Sequence, residues 1–172
     1  MAGWYRLFLR DALLYVSLTS VCLLALVLHS PRLMLNDYPP AIRALVPPKT
    51  KGEQRSSIVL GIPLLLAMFG FPVHAAFAIR ATQHAGFFAV WAYASGIVFS
   101  FNVWDWLAID WFLFCTITPR WVVIPGTEGH PAYQDYFFHF KGFLIGTVFS
   151  GALGLLAATM LMLIAPAGVP LE

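Results

Sequence analysis

Charge is scarce in this chain. Of 172 residues only ten are Lys or Arg and eight are Asp or Glu, which leaves 10% charged residues and a net charge of +2. The few basic residues lie in connecting segments rather than along one stripe, so a nucleic-acid-binding surface is excluded. Cysteine is nearly absent. Cys22 and Cys115 sit in separate apolar runs with no CxxC pairing, and read as small apolar filler rather than as a disulfide or metal pair. No HExxH spacing and no P-loop lysine pattern occurs, so no motif names a reaction.

What the chain has in excess is apolar surface. Sixty per cent of its residues are hydrophobic and its mean hydropathy is +0.78. A soluble domain of this size has no core large enough to take that much. Four apolar runs predict an all-α polytopic integral membrane protein, a single domain over residues 1–172. The spans fall at about 12–29, 57–79, 86–117 and 143–164, forming a four-helix transmembrane bundle with two structured loops on one face. Arg6 and Arg10 before the first run resemble a signal peptide, but Asp11 abuts the run and no small-residue cleavage site follows, so it reads as a retained span. Trp4 and Tyr5 before it suit an interfacial anchor. Pro63 and Pro72 predict a kinked second span, a five-residue connection (81–85) makes a tight hairpin with the third, and Pro166 closes the fourth.

The third span is too long. As one α-helix it would measure roughly 48 Å against a hydrocarbon core of about 30 Å. No Pro or Gly interrupts it after Ile97, which favours one continuous helix whose last turns pack against the following loop. It also carries the most informative residues, Asn102, Asp105 and Asp110, interleaved with Trp104, Trp106 and Trp111. A carboxylate at bilayer depth costs roughly 2.5–3.5 kcal/mol and is seldom kept without a task. At 100° per residue Asp105 and Asp110 stand about 140° apart, so on an α-helix only one of them faces a given pocket. Asp105, sharing a face with Asn102, is the candidate, and Asp110 reads as structural. The bland alternative pairs Asp105 with Arg32 or Arg120 to fix the packing.

An even number of spans puts the first loop and the loop after span three on one side. Those loops hold most of the basic residues, so the positive-inside rule places both in the cytoplasm, in the cell (inner) membrane, with the termini outside. The same side gathers the ionisable candidates. Asp37, Asp105 and Glu128 are candidate catalytic groups. His130, Asp135 and His139 are metal-capable and leave a divalent metal open, Asp135 and His139 being four apart. Arg43 and Arg120 suit a lipid headgroup or a phosphorylated substrate. Haem is disfavoured, because His74 and His139 fall at opposite faces and His74 reads as a buried, hydrogen-bonded residue. In span four Gly142, Gly146, Ser150, Gly154 and Ala158 recur every four residues, a ridge that admits a close helix from the same chain, a second copy or another membrane protein.

Three functions follow. The base rate favours an accessory or interaction subunit of a membrane complex. The alternative is a membrane enzyme acting on a lipid-borne or amphiphilic substrate through the Asp/Glu/His cluster. A small carrier or channel is weaker, because the half of the bundle away from the loops offers little polar besides His74.

Overall fold

The structure, a computed structural model, describes residues 2–164. Every regular element among them is helical. Helix α1 spans Ala2–His29, ten residues before the predicted start. A 3-10 segment (Pro31–Asp37) and the short α2 (Pro40–Arg43) form the first loop. Helix α3 (Lys51–Leu65) passes through a π-helical turn, Leu66–Gly70, into α4 (Phe71–Gln83). Helix α5 (Phe87–Trp104) continues as a π-helix over Asp105–Ile117. A 3-10 turn at Pro131–Gln134 precedes α6, Tyr136–Ile164. The expected end at Pro166 lies outside the described residues.

Four rods are thus long and apolar enough to cross a membrane. They outrun the apolar runs because polar residues start them. Thr50 accepts from Glu53 N–H while the Glu53 carboxylate accepts from Thr50 N–H, a reciprocal cap that begins α3 six residues early. Asp135 accepts from Phe138 N–H at 2.9 Å and caps α6. Only 22% of the most apolar stretch of α1 is buried, and Leu13, Val21, Ile58, Leu66, Ile145 and Val148 point outward. The apolar belt is on the outside, which suits lipid and not water.

The prolines act through the carbonyls they orphan. Pro72 has no N–H for Met68 C=O, and the Tyr15 hydroxyl from α1 donates to that oxygen at 3.3 Å. The rod widens to π between the two prolines instead of breaking. Four helices share the main core, with Tyr15, Ala76, Ile97, Phe101 and Ala158 at its centre.

The small-residue ridge is used inside the chain. A Cβ at Gly154 would come within 2.7 Å of Ser95 N and 2.9 Å of Trp91 O, and one at Gly146 would meet the Asn102 amide carbon at 2.8 Å. Ser150 and Ala158 are buried alongside. Asn102 is therefore a packing residue, its Nδ2 donating to Phe143 O at 3.0 Å and Thr147 Oγ1 at 3.2 Å. Gly142 is exposed and has nothing near it. Trp4 also turns inward, edge-on to Tyr93, and only Tyr5 remains exposed.

The two loops meet at one end of the bundle. Leu35, Tyr38 and Ile42 of the first pack with Ile124 and Tyr133 of the second, and Tyr38 Oη donates to Val122 O at 2.7 Å.

Candidate acid–base site at the loop end

The π-helix decides the site. In i→i+5 bonding the turn is wider, so residues five apart draw onto one face. Trp106 and Trp111 show this directly, with ring centroids 4.8 Å apart, a contact that α-helical spacing does not give. The same register turns Asp105 and Asp110, also five apart, toward one side of the rod. The 140° separation expected for an α-helix does not apply. A signal was present in the sequence: the pair Asp-Trp occurs twice, at 105–106 and 110–111.

Asp110 is the better-placed acid. Its Oδ1 lies 3.0 Å from His139 Nδ1. His139 is buried at the start of α6 between Phe114 and Phe138, and its Nε2 is buried without a hydrogen-bond partner. Asp110, His139 and Asp37 line one cavity of about 80 Å³, walled by Leu23, Val27, Tyr38, Phe114 and Trp121. That volume holds a few waters or one small polar group, not a whole substrate.

Asp105 sits deeper. Its Oδ1 is buried with no hydrogen-bond partner, and no basic side chain among the described residues is ion-paired with it. The arginine alternatives fail: Arg32 is paired with Glu53, donating from Nη2 to Oε2 at 3.2 Å, and Arg120 lies in a separate loop groove. Trp106 stacks on Phe143 with centroids 4.3 Å apart, which closes the site on the α6 side. Asp37 is exposed at the rim yet crowded. Burial pushes its carboxyl above the usual range; Lys49 and Arg43 pull it back, and Asp110 adds to the rise.

The remaining candidates lie elsewhere. Glu128 is exposed, both its oxygens accept from Gly126 N–H at 3.0 Å, and backbone N–H groups hold its carboxyl below the usual range. His130 Nδ1 accepts from Ala132 N–H at 3.1 Å. Both line a groove with Arg120, Tyr133 and Gln134, apart from the Asp110–His139 cavity. Arg43 borders a third depression with Lys49 and Ser57. Asp135 is spent as a helix cap. The proposed metal set of His130, Asp135 and His139 is thus split three ways, and no three His, Cys, Asp or Glu among the described residues are placed to hold a metal ion. His74 is exposed, not buried.

One group that the sequence underplays belongs to the opposite end. Asp11 is buried inside α1, accepting from Tyr93 Oη at 2.8 Å and pairing with Arg10. Its position at the edge of an apolar run gives no sign in the sequence that it is buried.

The chain matches no protein-family model, no curated protein and no solved structure. Its chemistry is therefore argued from geometry.

Proposed function

We propose that this is an integral membrane enzyme that performs acid–base chemistry on an amphiphilic substrate at the loop end of the bundle. One observation carries the reading: Asp110 fixes the His139 imidazole through Nδ1 and leaves Nε2 lone-paired, buried and unpartnered. A carboxylate that orients one ring nitrogen sets the tautomer and makes the other nitrogen the base. Asp37 at the rim and Asp105 below supply two further carboxyls that can take or return the proton.

An amphiphile suits the surroundings. Along the same α1–α5 seam an apolar groove opens on the flank, lined by Phe8, Leu13, Val16, Trp104, Leu107 and Phe112. A chain lying there from the lipid would bring a polar end toward the cavity. Both loops face the cytoplasm in this reading, by the positive-inside rule. The accessory-subunit reading has less to draw on, since α5 occupies the small-residue ridge and the two loops pack on each other.

The test is incubation of purified protein with total membrane lipid and small amphiphiles, followed by mass spectrometry. Wild type is expected to convert one class, and Asp110→Asn and His139→Ala to convert none. The reading falls if no class changes, or if both variants match wild type.

A further inference from the structure

A basic depression opens beside the start of α3, outside the acid–base site. It measures about 570 Å³, and Arg43, Lys49, Asn36 and Gln54 line it, with Ile58 among its apolar walls. That size falls within the roughly 300–1,000 Å³ usual for small-molecule sites.

Its two cations are held differently. Lys49 is half-buried and fixed: Nζ donates to Leu33 O and to Ser57 Oγ at 3.2 Å, and its own carbonyl accepts from Gln54 Nε2 at 3.0 Å. Two of its three N–H groups are thus spent, and one is left for an acceptor. Arg43 is exposed, and its guanidinium makes no hydrogen bond and no ion pair among the described residues. Its planar fork matches two oxygens of a phosphate at once.

No carboxylate shares the wall. Asp37, next to Asn36 in the chain, lines the Asp110–His139 cavity, and Glu53 is bound to Arg32 and to Thr50 N–H. The groove of the second loop differs, since Glu128 stands there with Arg120. An anion entering the depression beside α3 meets cations and amides alone. The ammonium of a zwitterionic headgroup finds no counter-charge there, which discriminates against it.

The surroundings supply the rest of a lipid site. Ile58 is 68% exposed, and Ile62 and Leu65 continue outward on the same face of α3, four and then three residues on. The depression therefore sits at the loop end of a lipid-facing stripe. A phosphate held at Arg43 and Lys49 leaves its acyl chains to run along Ile58 and Ile62.

We propose that this depression binds the phosphate of an anionic phospholipid from the leaflet on the loop side. Arg43 is the bidentate partner, Lys49 the second cation, and the Asn36 amide lies beside them. The lipid is held and no bond in it is broken, so the site rests on the membrane-spanning fold and not on the acid–base chemistry.

Native mass spectrometry of the full chain released from detergent micelles tests this, with dioleoyl phosphatidylglycerol and dioleoyl phosphatidylcholine added in turn. Wild type is expected to retain one phosphatidylglycerol at a lipid concentration about tenfold lower than phosphatidylcholine requires. Arg43→Gln, which removes no bond within the protein, is expected to lower that preference about fivefold. Lys51→Gln and Arg55→Gln lose the same charge on exposed residues of α3 outside the depression, and are expected to keep the wild-type preference. Equal retention of the two lipids by wild type overturns the proposal. So does a loss in Lys51→Gln and Arg55→Gln as large as in Arg43→Gln, which is the mark of diffuse loop charge. Millimolar inorganic phosphate is the last arm: displacement of the lipid assigns the depression to a free anion and overturns the lipid source, and an undisturbed complex supports it.

Discussion

Asp37 shows how competing effects at one residue become measurable. Burial and the Asp110 charge raise its carboxyl, Lys49 and Arg43 lower it, and the balance is upward. A carboxyl whose pKa is raised on folding binds its proton more tightly in the folded state, so its contribution is fully present below the ordinary Asp range and lost as pH climbs through the raised value. Asp37→Asn is therefore expected to raise the melting temperature relative to wild type near neutral pH, and the difference is expected to vanish as pH falls below the ordinary Asp pKa of about 3.9. Thermal unfolding in detergent at neutral pH and near pH 3, about one unit below the ordinary Asp value, checks this, and a variant less stable than wild type at neutral pH contradicts the assignment. Asp135 obeys different physics. As a cap, Asp135→Ala is expected to cost about 1 kcal/mol while Asp135→Asn stays within a few tenths, because Asn accepts the same N–H. A metal ligand would not distinguish the two in that way.

At the scale of elements, the deciding event is the change from α to π at Asp105. Composition revealed the length of the third span and the absence of Pro or Gly foretold its continuity, both of which the structure has. The turn width was not legible by the same means, because hydrophobic periodicity is blurred in a helix that is apolar all round. On α-helical spacing Asp110 reads as a structural acid, and the wider turn sets it beside His139. The repeated Asp-Trp pair was the one residue-level clue, and it has meaning only once five-residue spacing is considered. Loop-end convergence was half legible. Span parity placed Asp37, Asp105, Glu128 and His139 at one end, but local backbone bonds took Glu128 and His130 into their own turn. The ridge on α6 was legible from Gly146 to Ala158, since small residues at four-residue spacing have few other uses, while Gly142 stands clear of it. Its residues nonetheless differ. Gly154→Val would drive a side chain into Ser95 and the Trp91 carbonyl, so it is expected to cost about 1–3 kcal/mol or more. Gly142→Ala has open space and is expected to be neutral or to gain about 0.5–1 kcal/mol by its helix preference. Chemical unfolding in mixed micelles separates the two, and equal effects would mean that the ridge does not sit against α5.

For the whole molecule, everything turns on which ends of the four rods share a side. The loop-end core joins residues far apart in the chain: Tyr38 reaches Val122, and Ile42 shares a cluster with Tyr133. Those contacts exist only if the rods alternate in direction, with residues 30–50 and 118–135 at one end and 84–86 at the other. Thr127 would be a poor probe of this, because it is buried and bonded to Ile124 O and Tyr133. Thr50, Gln134 and Gln83 are exposed and suit the purpose. In a background with Cys22 and Cys115 replaced by Ala, single cysteines at 50 and 134 are expected to react with an impermeant maleimide from the same side of sealed vesicles, and a cysteine at 83 only from the other. If the positive-inside reading of the loops holds, the shared side is the cytoplasmic one. Labelling of 50 and 134 from opposite sides would separate Asp37 from His139 by a bilayer. No arrangement of the π-helix could then assemble the cavity, and the acid–base site would fall with it.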